Sequence, residues 1–67
     1  MALPKWTKKD LQEMDALGYK VVVCEDEKEA LEVKQVLKQN RRCAQAGRIF
    51  NKEGKEIFFV CTKERSK

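Results

Sequence analysis

The chain has 67 residues, 42% hydrophobic and 39% charged, with a formal net charge of +4. This length allows a single domain, and no apolar run reaches the ~18–20 residues that cross a membrane. The first residues, Met1 to Lys5, are followed at once by mostly polar residues, without the apolar segment of a secretory signal. We therefore predict one small α+β domain over residues 1–67, no membrane association and a cytoplasmic location.

The net charge hides a strong segregation of charge along the chain. Residues 25–32 hold five acidic residues against one Lys, a net charge of −4. Residues 33–67 hold ten Lys and Arg against three Glu, a net charge of +7. Such a distribution creates an oriented electrostatic field, which is typical of a protein that recognises a charged partner.

The first predicted helix covers residues 8–17, after a lead-in over residues 1–6. Thr7 is a favourable N-cap, and Asp10 three residues later completes a capping box with Asp in place of the usual Glu. Gly18 stands where a helix commonly ends on a left-handed residue. The helix should therefore end sharply before the next element.

A strand and a second helix are predicted next. Residues 19–24 are rich in β-branched and aromatic types, and three consecutive valines indicate a strand with apolar neighbours on both faces. Residues 25–40 have helical periodicity, with Asp26 as the N-cap. Acidic residues in the first turns and Lys in the later turns match the helix dipole.

The last third of the chain is predicted to be a β-hairpin. Its strands are residues 42–50 and 55–62, joined by a turn over residues 51–54. Gly47 lies inside the first of these strands, where a glycine marks a bulge or a close approach by another group. Residues 63–67 are predicted to be a short charged tail, frayed at the end.

The third strand is the most apolar, so we place it at the centre of a three-stranded, mostly antiparallel sheet of order 1-3-2. The second helix crosses one face of this sheet. Strand 3 presents Ile57, Phe59 and Cys61 on one face and Phe58, Val60 and Thr62 on the other. The sequence leaves open whether the first helix covers the second face or packs beside the other helix.

The residue types do not favour catalysis or a metal site. The sequence has no His, and Ser66 is its only serine. Cys24, Cys43 and Cys61 lie one to a strand, without the short C-x₂₋₄-C spacing of zinc sites. We predict a non-enzymatic protein without cofactor or metal, with the three thiols free in the core. A disulfide or redox role and a metal site are the alternatives.

Two kinds of binding are compatible with these features. The apolar surface exceeds what one small core needs, which favours a protein-binding module that also self-associates as a dimer. By association with other small cytosolic chains, we expect the inhibitor or adaptor type. The expected interface residues are Trp6, Leu31, Val36, Phe58 and Val60.

The alternative is a small nucleic-acid-binding protein that uses the basic hairpin. Basic side chains around a sheet resemble the rim of a phosphate-contacting surface, although charged edges also keep sheets from pairing with one another. The residues expected to contact a nucleic acid or an acidic partner are Arg41, Arg42, Arg48, Lys52, Lys55 and Lys63.

Overall fold

The predicted order of elements, α-β-α-β-β, is confirmed by a computed structural model that describes residues 3–64. The elements are α1 (Lys8–Ala16), β1 (Lys20–Cys24), α2 (Glu27–Gln39), β2 (Arg42–Phe50) and β3 (Glu56–Glu64). The last strand is longer than predicted and takes up the first two residues of the expected tail. The rest of that tail and the first two residues of the lead-in lie outside the described part of the chain.

Helix α1 begins and ends on the residues predicted to cap it. The Thr7 hydroxyl accepts a hydrogen bond from the backbone N–H of Asp10, and the Asp10 carboxylate accepts one from the N–H of Thr7. At the other end Gly18 has a φ of 91°, and the N–H of Tyr19 donates to the carbonyl of Met14 at 3.0 Å. This C-terminal motif turns the chain directly into β1.

Helix α2 also starts at its predicted cap. Oδ1 of Asp26 accepts from the N–H of Glu29 at 2.7 Å, and Oε2 of Glu29 accepts from the N–H of Glu25 at 3.1 Å. After the helix, Arg41 adopts a left-handed backbone with a φ of 60° and so reverses the chain into β2. Both ends of the helix are therefore fixed by local contacts.

The sheet has the predicted order β1-β3-β2, and both of its strand pairs are antiparallel. Pairing between β2 and β3 runs without interruption from Arg42 opposite Glu64 to Phe50 opposite Glu56. A bulge at Gly47 is therefore ruled out. Gly47 instead permits a close approach, because the indole of Trp6 lies against it. A Cβ at Gly47 would lie 2.8 Å from Cε2 of Trp6 and closer still to two other indole atoms.

One face of the sheet packs against α2 and forms the larger part of the core. Ala30 of the helix is fully buried and clusters with Cys24, Ala46 and Val60 from the three strands. Phe58 packs against the same cluster and is partly buried. The second helix therefore covers the Phe58 and Val60 face of β3.

The opposite face is covered by Trp6, from the segment before α1, and α1 lies on this side of the sheet without a fully buried residue. Phe59 and Cys61 are 1% and 0% exposed. The ring of Phe59 meets the indole of Trp6 edge to face, with 5.1 Å between ring centroids. At the end of α1, the carbonyl of Leu17 accepts a hydrogen bond from Nζ of Lys63 at 3.0 Å. The question that the sequence left open is thereby answered: each helix has its own face of the sheet.

Candidate functional site

The two edges of the sheet differ in whether they are covered. Beside β2, the N–H of Arg48 donates to the carbonyl of Pro4 at 3.0 Å, and the N–H of Trp6 donates to the carbonyl of Arg48 at 2.7 Å. Lys5 forms a parallel bridge to Arg48 in the same place. The N-terminal segment thus covers this edge at Arg48, and it brings a proline and a lysine, two residue types that discourage further strand pairing.

The β1 edge carries no such cover among residues 3–64, and its backbone orientation follows from the other edge. The N–H and C=O of Arg48 point away from β3, toward the N-terminal segment. Arg48 and its partner Phe58 are therefore a pair without mutual hydrogen bonds, so the N–H and C=O of Phe58 point toward Cys24 of β1. The N–H and C=O of Cys24 in turn point toward β3. Because the direction of these backbone groups alternates from one residue to the next, those of Val22 point toward β3 as well. Val21 and Val23 therefore present their N–H and C=O groups at the open edge.

The side chains of this open edge are apolar and exposed. Val21, Val22 and Val23 are 46%, 38% and 68% exposed. Each valine has an apolar neighbour on β3, since Val21, Val22 and Val23 pair with Cys61, Val60 and Phe59 on alternating faces, but these neighbours leave the valines exposed. Helix α2 must cross β3 to reach β2, so it packs mainly over those two strands, and β1 is left at the margin of both faces.

Opposite charges flank the open edge. Lys20 begins β1 and is exposed, whereas Glu25 and Asp26 follow directly on its last residue and are exposed as well. The remaining acidic residues of 25–32 lie on the first turns of α2, just beyond the same end. The edge is therefore a row of three valines with a positive end and a negative end.

The five residues predicted to form a protein interface are not brought together. Val60 is fully buried and Phe58 packs on the core, so neither is an interface residue in this fold. Trp6 is partly buried against Phe59 and Gly47. Leu31 and Val36 are 43% and 54% exposed on α2, as a surface role requires. Neither residue belongs to the β1 edge.

The predicted basic surface is divided between the two ends of the hairpin. Arg42 pairs with Glu64 at one end, while Lys52 and Lys55 lie in the turn beyond the Phe50–Glu56 pair at the other. Eight residue-to-residue steps along β2 separate Arg42 from Phe50, which corresponds to about 26 Å. The hairpin therefore does not present one continuous basic patch.

Three basic residues lie at one end of the sheet and line a surface pocket together with Glu64: Lys20, Arg42 and Lys63. Lys20 and Arg42 belong to the α2 face, whereas Lys63 belongs to the opposite face and its Nζ donates to the Leu17 carbonyl. Nε of Arg42 donates to the hydroxyl of Thr62 at 3.2 Å, and Nη1 lies 3.9 Å from a Glu64 carboxylate oxygen. Arg41 lies next to this pocket along the chain and is exposed. We call the set Lys20, Arg41, Arg42 and Lys63 the basic end.

Arg48 has a structural role instead of a place on a binding surface. Its Nε donates to the carbonyl of Leu3 at 3.0 Å, and its Nη1 donates to Glu56 at 3.1 Å. The first contact fastens the N-terminal segment to the hairpin, and the second joins β2 to β3. The guanidinium is therefore already engaged on two sides within the fold.

The three cysteines are free thiols at separate places in the sheet. Cys24 lies in the α2 core, whereas Cys43 and Cys61 belong to the opposite face. Burial raises the pKa of the Cys61 thiol, and burial followed by the nearby Glu29 and Asp26 raises that of Cys24. Within residues 3–64, no group of His, Cys, Asp or Glu is arranged to hold a metal ion.

Sequence reasoning missed the residues of the β1 edge, Lys20 and the three valines. The predicted order 1-3-2 already placed this strand at an edge, and that order was the available indication.

No protein-family model matches the chain, and neither the curated proteins nor the solved structures contain a match. No helix in the described part of the chain is long and apolar enough to cross a membrane.

Proposed function

We propose that this chain is a non-enzymatic, cytoplasmic protein-binding module of the inhibitor or adaptor type, and that it binds an extended strand of a protein along the open edge of β1. The observation that carries the proposal is that the β1 edge combines unused backbone groups, at Val21 and Val23, with exposed valine side chains. Natural sheets usually protect such an edge with charge, proline or a covering segment. The β2 edge has such a covering segment at Arg48, whereas within residues 3–64 no segment pairs with the β1 edge.

Strand addition suits the chemistry of this edge. A peptide laid beside β1 would gain main-chain hydrogen bonds from Val21 and Val23, while alternate side chains of the peptide would meet the valines. The charged ends, Lys20 and Glu25, would set its direction and register. Main-chain bonds would supply affinity, and the valines and charges would supply selectivity.

Site-specific photocrosslinking in cells that produce the protein tests this function. A photoreactive amino acid at position 23 should give covalent adducts with a protein, and Val21→Lys in the same chain should abolish them. The same amino acid at position 36, on the exposed outer side of α2, is the matched control and should give none. Absence of any adduct from position 23, with the chain folded and abundant, would exclude this function.

The second candidate function is nucleic-acid binding through the basic end. The observation in its favour is that Lys20, Arg42 and Lys63 line one pocket, with exposed Arg41 beside it. Phosphate contacts of this kind release counterions, so affinity should fall steeply as salt rises. The neighbouring Glu64 weakens the field at the pocket.

Fluorescence anisotropy with labelled single-stranded and double-stranded oligonucleotides, at low salt, tests this candidate. Arg41→Ala and Lys20→Ala should each weaken binding and reduce its salt dependence. Lys52→Ala, at the far end of the hairpin, is the matched control and should change little. Equal losses from all three variants would point to unspecific attraction to a basic protein, and the absence of binding at low salt would exclude the function.

A further inference from the structure

We infer that the strand bound by the β1 edge is β1 of a second copy of this chain, in an antiparallel pair whose two-fold axis passes through Val22. This inference rests on the proposed function and names its partner. The resulting dimer has one continuous six-stranded sheet, of order β2-β3-β1-β1-β3-β2. Both outer edges of that sheet are β2 edges, which the N-terminal segments cover at Arg48.

The backbone geometry is satisfied in this register. Centring the pair on Val22 sets Val21 opposite Val23 of the second copy, and Lys20 opposite Cys24. Val21 and Val23 are the residues whose N–H and C=O groups are unused at the edge, so these opposite pairs exchange hydrogen bonds in both directions. All five residues of β1 are then paired, and a shift of one residue would set outward-facing groups against inward-facing ones.

The side chains of β1 also fit those of the second copy in this symmetric arrangement. A two-fold axis perpendicular to the sheet keeps both α2 helices on one side and both α1 helices on the other. Val21 and Val23 of each copy then form two cross-strand valine pairs on the α1 side, and the two Val22 side chains meet on the α2 side. The most exposed valine of the monomer, Val23, thereby gains an apolar neighbour.

Charge complementarity identifies the second copy as the occupant. The antiparallel pair brings the Lys20 end of each strand beside the Glu25 and Asp26 end of the other, twice per dimer. A parallel arrangement would instead place both acidic helix starts together. The opposite charges at the two ends of β1 thus favour an antiparallel partner with the same charges, which the chain itself supplies.

Sedimentation equilibrium of the intact chain from about 1 to 500 µM tests the inference. The unmodified chain should sediment as a reversible dimer, and Val23→Lys should raise the dissociation constant at least tenfold. Val36→Lys is the matched control, because it places the same charge at a similarly exposed valine away from the edge, and it should leave the constant unchanged. A monomer throughout the range, or dissociation by Val36→Lys and not by Val23→Lys, would overturn the inference.

A charge exchange tests the register and orientation. Lys20→Glu and Glu25→Lys should each weaken the dimer by about three- to tenfold at low salt, because two symmetry-related pairs change sign. The double variant should recover most of the loss. If the double variant instead shows the summed loss of dimer stability of the two single variants, the antiparallel register is contradicted.

Amide hydrogen exchange distinguishes failure of this inference from failure of the proposed function. Exchange at Val21 and Val23 should slow as protein concentration rises, while exchange at Val22, which already bonds to β3, should change little. If the chain is monomeric and position 23 still crosslinks to another protein, the second copy is excluded and the strand-binding function stands. If neither is seen, both are excluded.

Discussion

The indole of Trp6 lies directly against the Cα of Gly47, in the space that a side chain on β2 would otherwise occupy. This contact lets Trp6 reach the ring of Phe59 and close the α1 face of the core. It also holds the N-terminal segment beside β2, where the neighbouring backbone bonds to Arg48 form. One glycine therefore connects core packing with the covering of a sheet edge.

Gly47→Ala should destabilise the fold, because the new methyl group would overlap the indole ring. Forcing extra atoms into a packed site costs about 1–3 kcal/mol, and we expect a loss of that size in urea unfolding. Gln45→Ala, at an exposed position two residues away on the same face of β2, should cost little. If Gly47→Ala leaves the midpoint unchanged, Trp6 does not lie on the sheet as described.

Thr7→Ala should weaken α1 by removing one half of its capping box. Loss of an N-cap side chain costs about 1 kcal/mol. The backbone N–H and then the hydroxyl of Thr7 lower the pKa of Asp10, with a smaller contribution from Lys9. The variant should therefore raise the pKa of Asp10, measured by NMR titration, while Lys8→Ala in the same turn should not.

The pH dependence of this cap follows from the direction of the pKa shift. A carboxyl whose pKa is lower in the folded state stabilises that state above its unfolded pKa and loses this effect as the pH falls through the folded pKa. The difference in stability between the unmodified chain and Asp10→Asn should thus be present at neutral pH and shrink in acid. A constant difference at all pH values would contradict the capping role.

Local features were predictable here, and features that depend on distant contacts were not. Thr7, Asp26 and Gly18 fix helix ends through neighbours in the chain, so their roles follow from sequence spacing. The exposure of Val23 depends on where α2 crosses the sheet. The burial of Trp6 depends on a segment pairing with β2 more than forty residues away. Neither relationship leaves a local pattern in the sequence.

The same contrast explains the candidate site. Three adjacent valines have high strand propensity wherever they lie, so the pattern predicts β1 but not its exposure. Phe58 and Val60 are predicted as interface residues because the sequence alone does not show which face of the sheet α2 covers. Once that face is known, the open edge of β1 follows from the strand order alone.

The thiols should differ in reactivity in the folded protein. Cys43 is partly buried, whereas Cys24 and Cys61 are buried and their thiols have raised pKa values. Since the thiolate is the reactive form, a disulfide reagent at pH 7–8 should modify Cys43 first and the other two only as the chain unfolds. Cys43→Ser should remove the fast phase, and two fast thiols in the unmodified chain would contradict this arrangement.

Raising the pH should also destabilise the fold through the two buried thiols. Their raised pKa values mean that the neutral form is favoured in the folded state. This contribution is fully present below the ordinary pKa of a thiol and is lost as the pH rises through the folded value. Cys61→Ala should therefore reduce the fall in stability that accompanies alkaline pH, as measured by urea unfolding from pH 7 to pH 10.

Arg48→Ala should destabilise the N-terminal segment and leave the basic end intact. The variant loses the hydrogen bonds to the Leu3 carbonyl and to Glu56, and a bond to a charged group contributes about 1.5–3 kcal/mol. Amide exchange at Trp6, whose N–H bonds to the Arg48 carbonyl, should become faster. Arg48→Lys should recover only part of the loss, since one ammonium group cannot make both contacts.

Lys52→Ala removes an exposed charge and should change stability by less than about 0.5 kcal/mol. Equal stability of the Arg48 and Lys52 variants would show that Arg48 does not fasten the segment.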